Sequence, residues 1–596
     1  MEVLILVLEF NKQQLKAINH YEGACAVIAG AGSGKSSVLV HRIKNLIDVH
    51  QVKESDILAI SFTNNTATDL KKKLSEMGYN RVNIGTFHSI CGRILHKNKI
   101  DVNKLIKEWQ IEKCFKDIDS KVNVKDVKSF IGYQKNYLRS YNDEFMIKDS
   151  KYSEIELRRF YKAYEVFKRK NDLYDLDDWL VKCHSLLNNI KINYKFVLVD
   201  EHQDSNLVQN LILKQLCQSG NIFCVFDFRQ AIYTFRGGNP EYCMNFDKEW
   251  NNATIINLSI NYRSNDNIVD NANRFIKQYY GEYEYYSDSI ANNKSNGKIN
   301  VYSHNSRESE SIEMIDIIQD LLQKGENPEE IAILYRLNSH SGSVENELRK
   351  RSIPYDISND SSFFKRKEIV AIISYLRLIH NQHDDEAFEN IFGIRNYPVA
   401  FFSNELLSNI KTYCGRNNFS LYEGFISYRY DKAWQKTNMN IFKDNITRLK
   451  LQYDKGTSIN NLINNIKNVF KFDEYLEEKY SDDDDLLERK ASVETLKTFI
   501  KGNNIEKFMA YIESASNKKK NNIDAIKLMT VHSAKGLEFN HVFIISIEDE
   551  KFPHAKSPIK DEARLFYVGV TRPKESLYLS QIGENNRFIR EYNIAN

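Results

Sequence analysis

Apolar runs of strand length alternate with helical stretches at the start of the chain. Cys25-Ala26-Val27-Ile28 has no polar face, the composition of a strand buried on both sides. Ile57-Leu58-Ala59-Ile60-Ser61-Phe62 repeats the pattern and Val82-Asn83-Ile84 is a shorter version, with helical stretches at 37–43 and about 66–77 between them. This alternation predicts an α/β parallel sheet. Residues 90–190 change character: they are rich in Lys and Tyr, helical in period and poor in strand signals, which predicts a helical insertion. The sheet resumes at Phe196-Val197-Leu198-Val199 and Ile222-Phe223-Cys224-Val225-Phe226. A stretch near 281–297, rich in Tyr, Ser and Asn, reads as a linker. A second α/β unit opens with Ile299-Asn300-Val301-Tyr302 and Ile331-Ala332-Ile333-Leu334-Tyr335, gives way to polar helical sequence over 379–524, and returns at Ile526-Lys527-Leu528-Met529 and Val542-Phe543-Ile544-Ile545. The predicted fold class is α/β. It has one parallel-sheet core from 1–89 with 191–280 and another from 281–378 with 525–596. Mainly helical insertions at 90–190 and 379–524 interrupt them.

Composition narrows the choices. The 596 residues are 42% hydrophobic, enough for several cored domains, and 83 basic against 80 acidic residues leave a net charge of only +3. Nucleic-acid binding must therefore come from local patches. The eight cysteines (Cys25, Cys91, Cys114, Cys183, Cys217, Cys224, Cys243, Cys414) form no CxxC pair and read as small buried hydrophobes in a reducing compartment. The apolar start, Met1-Glu2-Val3-Leu4-Ile5-Leu6-Val7-Leu8, lacks a basic flank and a cleavage site, so no signal peptide is expected. No run approaches a membrane span, and a cytoplasmic location is expected. The acidic run at 482–485 and the basic run at 518–520 read as solvated loops.

The chemistry starts at residues 29–36, read AGAGSGKS, directly after the first apolar strand and before a helix. Strand, Gly-rich turn and helix in this order are the context of a phosphate-binding loop. Gly30, Gly32 and Gly34 let backbone N–H groups face an anion. Lys35 is placed to reach the β- and γ-phosphates and the Ser36 hydroxyl to ligate Mg²⁺. Ala29 stands where the stricter pattern has Gly, and the candidate nucleotide-binding set runs Ala29, Gly30, Ala31, Gly32, Ser33, Gly34, Lys35, Ser36, Ser37. Asp200-Glu201 closes another apolar strand; in a phosphate-loop ATPase one such carboxylate holds Mg²⁺ and its neighbour orients the attacking water.

With these residues the chain resembles the superfamily 1 helicases of the UvrD/PcrA/Rep type, from Asn11 to about Tyr578. Asn11-Lys12-Gln13-Gln14 resembles the family's adenine-reading segment, with Gln14 in the Gln position. Ser61-Phe62-Thr63-Asn64 and Gly85-Thr86-Phe87-His88-Ser89 resemble its first DNA-contacting motifs, and Asp175-Leu176-Asp177-Asp178-Trp179-Leu180 its DFDDLL segment. Asp227-Phe228-Arg229-Gln230-Ala231-Ile232-Tyr233-Thr234-Phe235-Arg236-Gly237 resembles GDxxQSIYxFRG, and Leu258-Ser259-Ile260-Asn261-Tyr262-Arg263-Ser264 resembles LxxNYRS. Thr530-Val531-His532-Ser533-Ala534-Lys535-Gly536-Leu537-Glu538-Phe539 matches TxHxxKGLEF, and Tyr567-Val568-Gly569-Val570-Thr571-Arg572 matches YVGxTR. The resemblance implies two RecA-like cores (1A and 2A) with inserted subdomains (1B and 2B), and ATP with Mg²⁺ as cofactors. It implies Lys35, Asp200, Glu201, Gln230, Arg263 and Arg572 as the hydrolytic set, the two arginines closing on the γ-phosphate from the second core. Ser36 and Asp200 hold the metal, Tyr262 stacks on adenine and Glu538 meets the ribose. Thr63, Phe87, His88, Tyr233, Phe235, Arg236, Thr530 and His532 are the implied DNA contacts.

The chain departs from that pattern at several points. Phe226 stands for a usual Gly, Phe228 and Arg229 for frequent acidic residues, Asn65 for Lys, Ser37 for Arg and His202 for an aromatic. Of the family's NxPxRGIG, the segment Asn396-Tyr397-Pro398-Val399-Ala400-Phe401-Phe402-Ser403 keeps only Asn and Pro. The resemblance implies a 3′→5′ single-stranded DNA translocase and helicase, in DNA repair, recombination or phage defence, acting on single strands and 3′-tailed duplexes. The shortened tail and the missing Gly-Ile-Gly leave open an ATP-switched regulatory subunit of a nuclease-containing complex, with a nuclease or other protein partner and little autonomous unwinding.

Overall fold

The computed structural model describes residues 10–119, 122–146, 151–234, 237–357, 363–480, 483–500, 502–516, 524–555 and 557–593. The apolar start, Phe235, Arg236, Asp482 and the basic run at 518–520 lie outside the described residues.

Strands β1 (Cys25–Ala29), β2 (Ile57–Ser61), β3 (Asn83–Thr86), β4 (Phe196–Val199), β5 (Ile222–Phe226) and β6 (Thr254–Leu258) form one six-stranded parallel sheet in the order β3-β2-β4-β5-β1-β6. Every residue of β1, β2, β4 and β5 is buried, which is why these strands read as continuous apolar runs. After β1 the chain crosses to the far side of β5 and β4, whereas β6 adds on β1's other flank. The strand order therefore reverses beside β1, and in such sheets ligands bind at the carboxyl ends of the strands next to the reversal.

β7 (Ile260–Asn265) follows β6 at once and pairs in parallel with β8 (Ile290–Asn293). The stretch read as a linker thus contains a strand. It carried no apolar signal because only Ala291 of β8 is buried.

The second sheet is also six-stranded and parallel: β9 (Lys298–His304), β10 (Ile331–Tyr335), β11 (Tyr355–Ile357), β12 (Ile526–Thr530), β13 (Phe539–Ile547) and β14 (Pro573–Ile582), in the order β11-β12-β10-β13-β14-β9.

One apolar core runs unbroken from the inner face of the first sheet to that of the second, through the helices Asp266–Tyr280 and Ile559–Val570. Phe275 and Phe566 meet in this seam with ring centroids 5.0 Å apart. The outer faces are covered separately, by Lys12–Asn19 and Lys35–Asp48 on the first sheet and by Arg307–Gln323 and Ser341–Lys350 on the second.

Both helical insertions have cores of their own. Phe115, Ile131, Leu157 and Phe160 belong to the first; Phe388, Phe425, Phe442 and Ile463 belong to the second. The helices Phe87–Lys97 and Leu176–Leu187 flank the first insertion but pack into the sheet core, whereas Lys367–His380 packs into the core of the second insertion. Residues 483–485 are not loop, as their charge suggested: they open the helix Asp483–Thr498. All eight cysteines are unpaired and buried. Among the described residues no helix is long and apolar enough to cross a membrane.

Candidate nucleotide cleft and nucleic-acid pocket

Because the first sheet is parallel, the segments after β1, β4, β5 and β6 emerge on one edge. The loop after β1 leads into the helix Lys35–Asp48, whose N-cap Gly34 is left-handed at φ 82°. Gly32 is left-handed too (φ 68°), and a Cβ there would stand 2.6 Å from the Cβ of Arg263, so only glycine fits. The Tyr262 N–H donates to the Gly32 carbonyl at 2.9 Å. The Gln14 side chain donates to the Ser33 carbonyl at 3.0 Å, and Asn11 donates to the Tyr262 hydroxyl at 2.9 Å. Gln14 and Tyr262 therefore flank the loop formed by Ala29, Gly30, Ala31, Gly32, Ser33 and Gly34. Lys35, Ser36 and Ser37 form the first turn of the helix, whose free N–H groups suit an anion.

Asp200 and Glu201 leave β4 on the same edge. The Lys35 ammonium lies 3.4 Å from one Glu201 carboxylate oxygen and the Lys535 ammonium 3.6 Å from the other. Glu201 holds a left-handed backbone (φ 53°), a strained conformation for a residue with a side chain. Gln203 hydrogen-bonds the Glu201 carboxylate and accepts from the Asp227 N–H at 3.2 Å. The two acids are pushed apart in acidity. Burial, then the charge of Glu201, raises Asp200 to about 7. Burial opposes the Glu201 charge as well, but Lys35 and Lys535 outweigh it and hold Glu201 below the usual carboxylate range.

Arg572 enters from the second core at the start of β14 and is 1% exposed. Its guanidinium donates to the carbonyls of Val568 (2.8 Å) and Leu537 (3.2 Å) and, across the cleft, to the Gln230 side chain at 2.9 Å. Gln230 in turn donates to Asp227 at 2.8 Å. Burial, then the charge of Arg263, pulls Arg572 below the usual guanidinium value, a penalty that an arriving phosphate would relieve.

Arg263 rides on β7, which pairs with β8 outside both six-stranded sheets, and reaches to Glu538 (2.8 Å) and the Thr571 carbonyl (3.0 Å); beside it the Ser264 hydroxyl donates to the Pro573 carbonyl at 2.6 Å, so this segment packs on the second core. The candidate set contains no Lys535, yet this residue ties the cleft together. Its ammonium hydrogen-bonds Asp204, donates to the Gln230 carbonyl at 2.9 Å, and sits 5.2 Å from the centre of the Tyr233 ring. Its place between His532 and Glu538 in the matched segment was the available signal.

On the far side of Lys535 lies a cavity of about 330 Å³. Phe62, Thr63, Phe87, His88, Asp177 and Tyr233 line it together with Asp204. Tyr233 stacks on Phe62 at 5.1 Å. Phe87 is 4% exposed and shared with the sheet core. Burial, then Asp175, raises Asp177 to about 7, and burial lowers His88. Thr530 and His532 lie at the end of β12 and in the turn after it and are not among the cavity's lining residues; Thr530 hydrogen-bonds Ser533 at 3.0 Å.

Two departures meet in space. Phe226 ends β5 with its ring centre 6.4 Å from that of His202, which is buried and packs edge-on to Phe246 at 6.2 Å. A large side chain at 226 and a smaller one at 202 fill one volume. Arg229 is also buried. It pairs with Asp227 at 2.7 Å, donates to the Ser287 carbonyl at 3.2 Å, and lies 5.6 Å from the Tyr567 ring centre, fastening the end of β5 to the stretch before β8 and to the second core.

A phosphate loop at the reversal of one parallel sheet, with side chains of a second sheet reaching across to it, defines a two-core phosphate-loop NTPase. Residues 10–251 match the UvrD/REP helicase N-terminal domain and residues 256–584 the UvrD-like helicase C-terminal domain. The chain belongs to the UvrD-like helicase family. It is 31% identical over 622 residues to the ATP-dependent DNA helicase Rep of Buchnera aphidicola subsp. Schizaphis graminum, covering 96% of this chain and 93% of that one. It is 30% identical over 623 residues to the ATP-dependent DNA helicase PcrA of Bacillus subtilis, covering 96% of this chain and 82% of that one.

Proposed function

We propose that this protein is an ATP-driven motor that moves 3′→5′ along single-stranded DNA and acts on 3′-tailed duplexes. The observation that carries this reading is the chain of contacts from Arg572 through Gln230 to Lys535, Asp204 and Tyr233, which joins the nucleotide cleft to the cavity. Hydrolysis and grip then share parts: when the second core moves on its seam, the phosphate site and the cavity wall move together. The named relatives Rep and PcrA, ATP-dependent DNA helicases, support the substrate. The direction of travel rests on the resemblance to their subfamily.

The residue roles follow. Lys35 binds the β- and γ-phosphates, Gln14 and Tyr262 hold the adenine, and Glu538 the ribose. Glu201 orients the attacking water, held anionic by its two lysines. Arg572 and Arg263 stabilise the γ-phosphate, and Gln230 senses it. The Ser36 hydroxyl and the Asp200 carboxylate suit Mg²⁺ as hard oxygen donors, and such an ion would offset the burial and the Glu201 charge that Lys35 and Lys535 leave uncompensated at Asp200. Mg²⁺ bound there neutralises phosphate charge. The cavity takes a base, because aromatic rings line it. Residues 90–190 and 379–524 are the subdomains that move with the two cores.

The Asp200 environment sets a pH dependence. With its carboxyl raised to about 7, a proton competes with Mg²⁺ increasingly as pH falls. The apparent Mg²⁺ affinity in the ATPase reaction is expected to fall by about tenfold from pH 8 to pH 6. Mg²⁺ titrations at several pH values measure this; a requirement constant over that range would show that the Asp200 carboxyl is not raised into it.

A second reading, an ATP-switched subunit serving a nuclease or another protein, is favoured by one feature. Where the family has Gly-Ile-Gly, Phe402 is 1% exposed but Phe401 is 81% exposed. Such a ring keeps backbone N–H groups off duplex phosphates and offers an apolar contact to a protein. The isolated protein is therefore expected to translocate on single strands yet unwind long 3′-tailed duplexes poorly. Single-turnover unwinding of short and long duplexes, beside translocation on the same tail, is the test. Efficient unwinding of the long duplex by a demonstrated monomer would count against the second reading, and absence of both activities against the motor.

A further inference from the structure

His541, on β13, is 4% exposed, and neither ring nitrogen has a hydrogen-bond partner. A buried polar group left without a hydrogen bond is unfavourable. Its Nε2 faces a Glu326 carboxylate oxygen at 3.2 Å. Glu326 follows the helix Arg307–Gln323, where the chain reverses at Gly325 (φ 91°). The third member comes from β14. One residue separates Phe539 from His541, but two separate their register partners Pro573 and Ser576. The extra residue bulges the strand, a device that re-aims side chains. Donor atoms of Glu326, His541 and Glu575 all lie within 4.8 Å of one another.

We propose that Glu326, His541 and Glu575 form a binding site for a first-row divalent transition ion, with Zn²⁺ the best match. Imidazole and carboxylate are both zinc donors, and Zn–N and Zn–O bonds of about 2.0–2.2 Å place neighbouring tetrahedral donors about 3.3–3.6 Å apart. The His541–Glu326 spacing of 3.2 Å already fits such an edge. Imidazole disfavours Mg²⁺ and Ca²⁺. Glu575 is exposed, which gives the ion a way in and leaves a fourth position to water.

The nearby lysine does not neutralise this group: Lys574 extends to Glu330 (3.2 Å) and Glu538 (3.7 Å). The carboxylate group Glu165, Asp175 and Asp178 is different, because Lys135 and Lys168 fill it at 2.6–2.9 Å. An ion at His541 would pin the Glu326 turn to the ends of β13 and β14, next to Glu538 and Arg572.

The test uses the full chain without nucleotide, stripped with chelator and held in excess Mg²⁺. Co²⁺ titration followed by visible absorption is expected to saturate at one equivalent and to be reversed by Zn²⁺, and Zn²⁺ is expected to raise the melting temperature. Glu326→Gln and Glu575→Gln should each weaken Co²⁺ binding by at least about tenfold, with the metal-free fold unchanged by circular dichroism. Both side chains are partly or fully exposed, so folding does not depend on them as it does on His541. No saturable uptake of Co²⁺ or Zn²⁺, or uptake indifferent to both substitutions, would overturn the site.

Discussion

Replacing Arg572 by alanine is expected to lower DNA-stimulated ATP turnover by about 10³–10⁵-fold while leaving ATP binding within a few-fold. The side chain meets Gln230 of the first core but belongs to the other core, so it contributes when the cleft is closed. Its fork is aimed before any nucleotide arrives: two backbone carbonyls and Gln230 hold it. Such preorganisation acts on charge developing in the transition state more than on the bound ground state. Arg572→Lys should not rescue, because a single ammonium cannot meet those acceptors and a phosphate oxygen together. Steady-state ATPase assays beside equilibrium binding of a fluorescent nucleotide separate the two effects. Turnover near that of the unaltered protein would remove the cross-cleft role.

Lys35→Ala should have the other large effect, and of a different kind. Lys35 opens the helix behind the phosphate loop and is one of two cations that hold Glu201 ionised. Its loss removes a charge from the phosphates and loosens control of Glu201 together. Nucleotide affinity and turnover should both fall, turnover by about 10²–10³-fold or more. Loss of turnover with unchanged affinity would show that Lys35 does not touch the ground-state phosphates.

Much of this site was legible because its chemistry is local. The phosphate loop needs consecutive residues, and the strands before it and before Asp200 are apolar on both faces. What escaped was non-local or polar. β8 read as linker since its pairing with β7 needs almost no burial. Lys535 matters through partners far away in sequence, Gln230 and Asp204, the latter 331 positions distant. The offset between Phe226 and His202 likewise exists only in three dimensions. Glu326, His541 and Glu575 come from a turn and two strands, a grouping no spacing rule marks.

The central claim is that closure of the cleft drives directed movement on a single strand. Displacement of streptavidin from oligonucleotides biotinylated at either end tests it most directly. The account predicts ATP-dependent displacement from the 5′ end, slow displacement from the 3′ end, little dependence on base sequence, and loss of the activity in Arg572→Ala. Displacement from the 3′ end instead, or from neither end while ATP is hydrolysed, would contradict it.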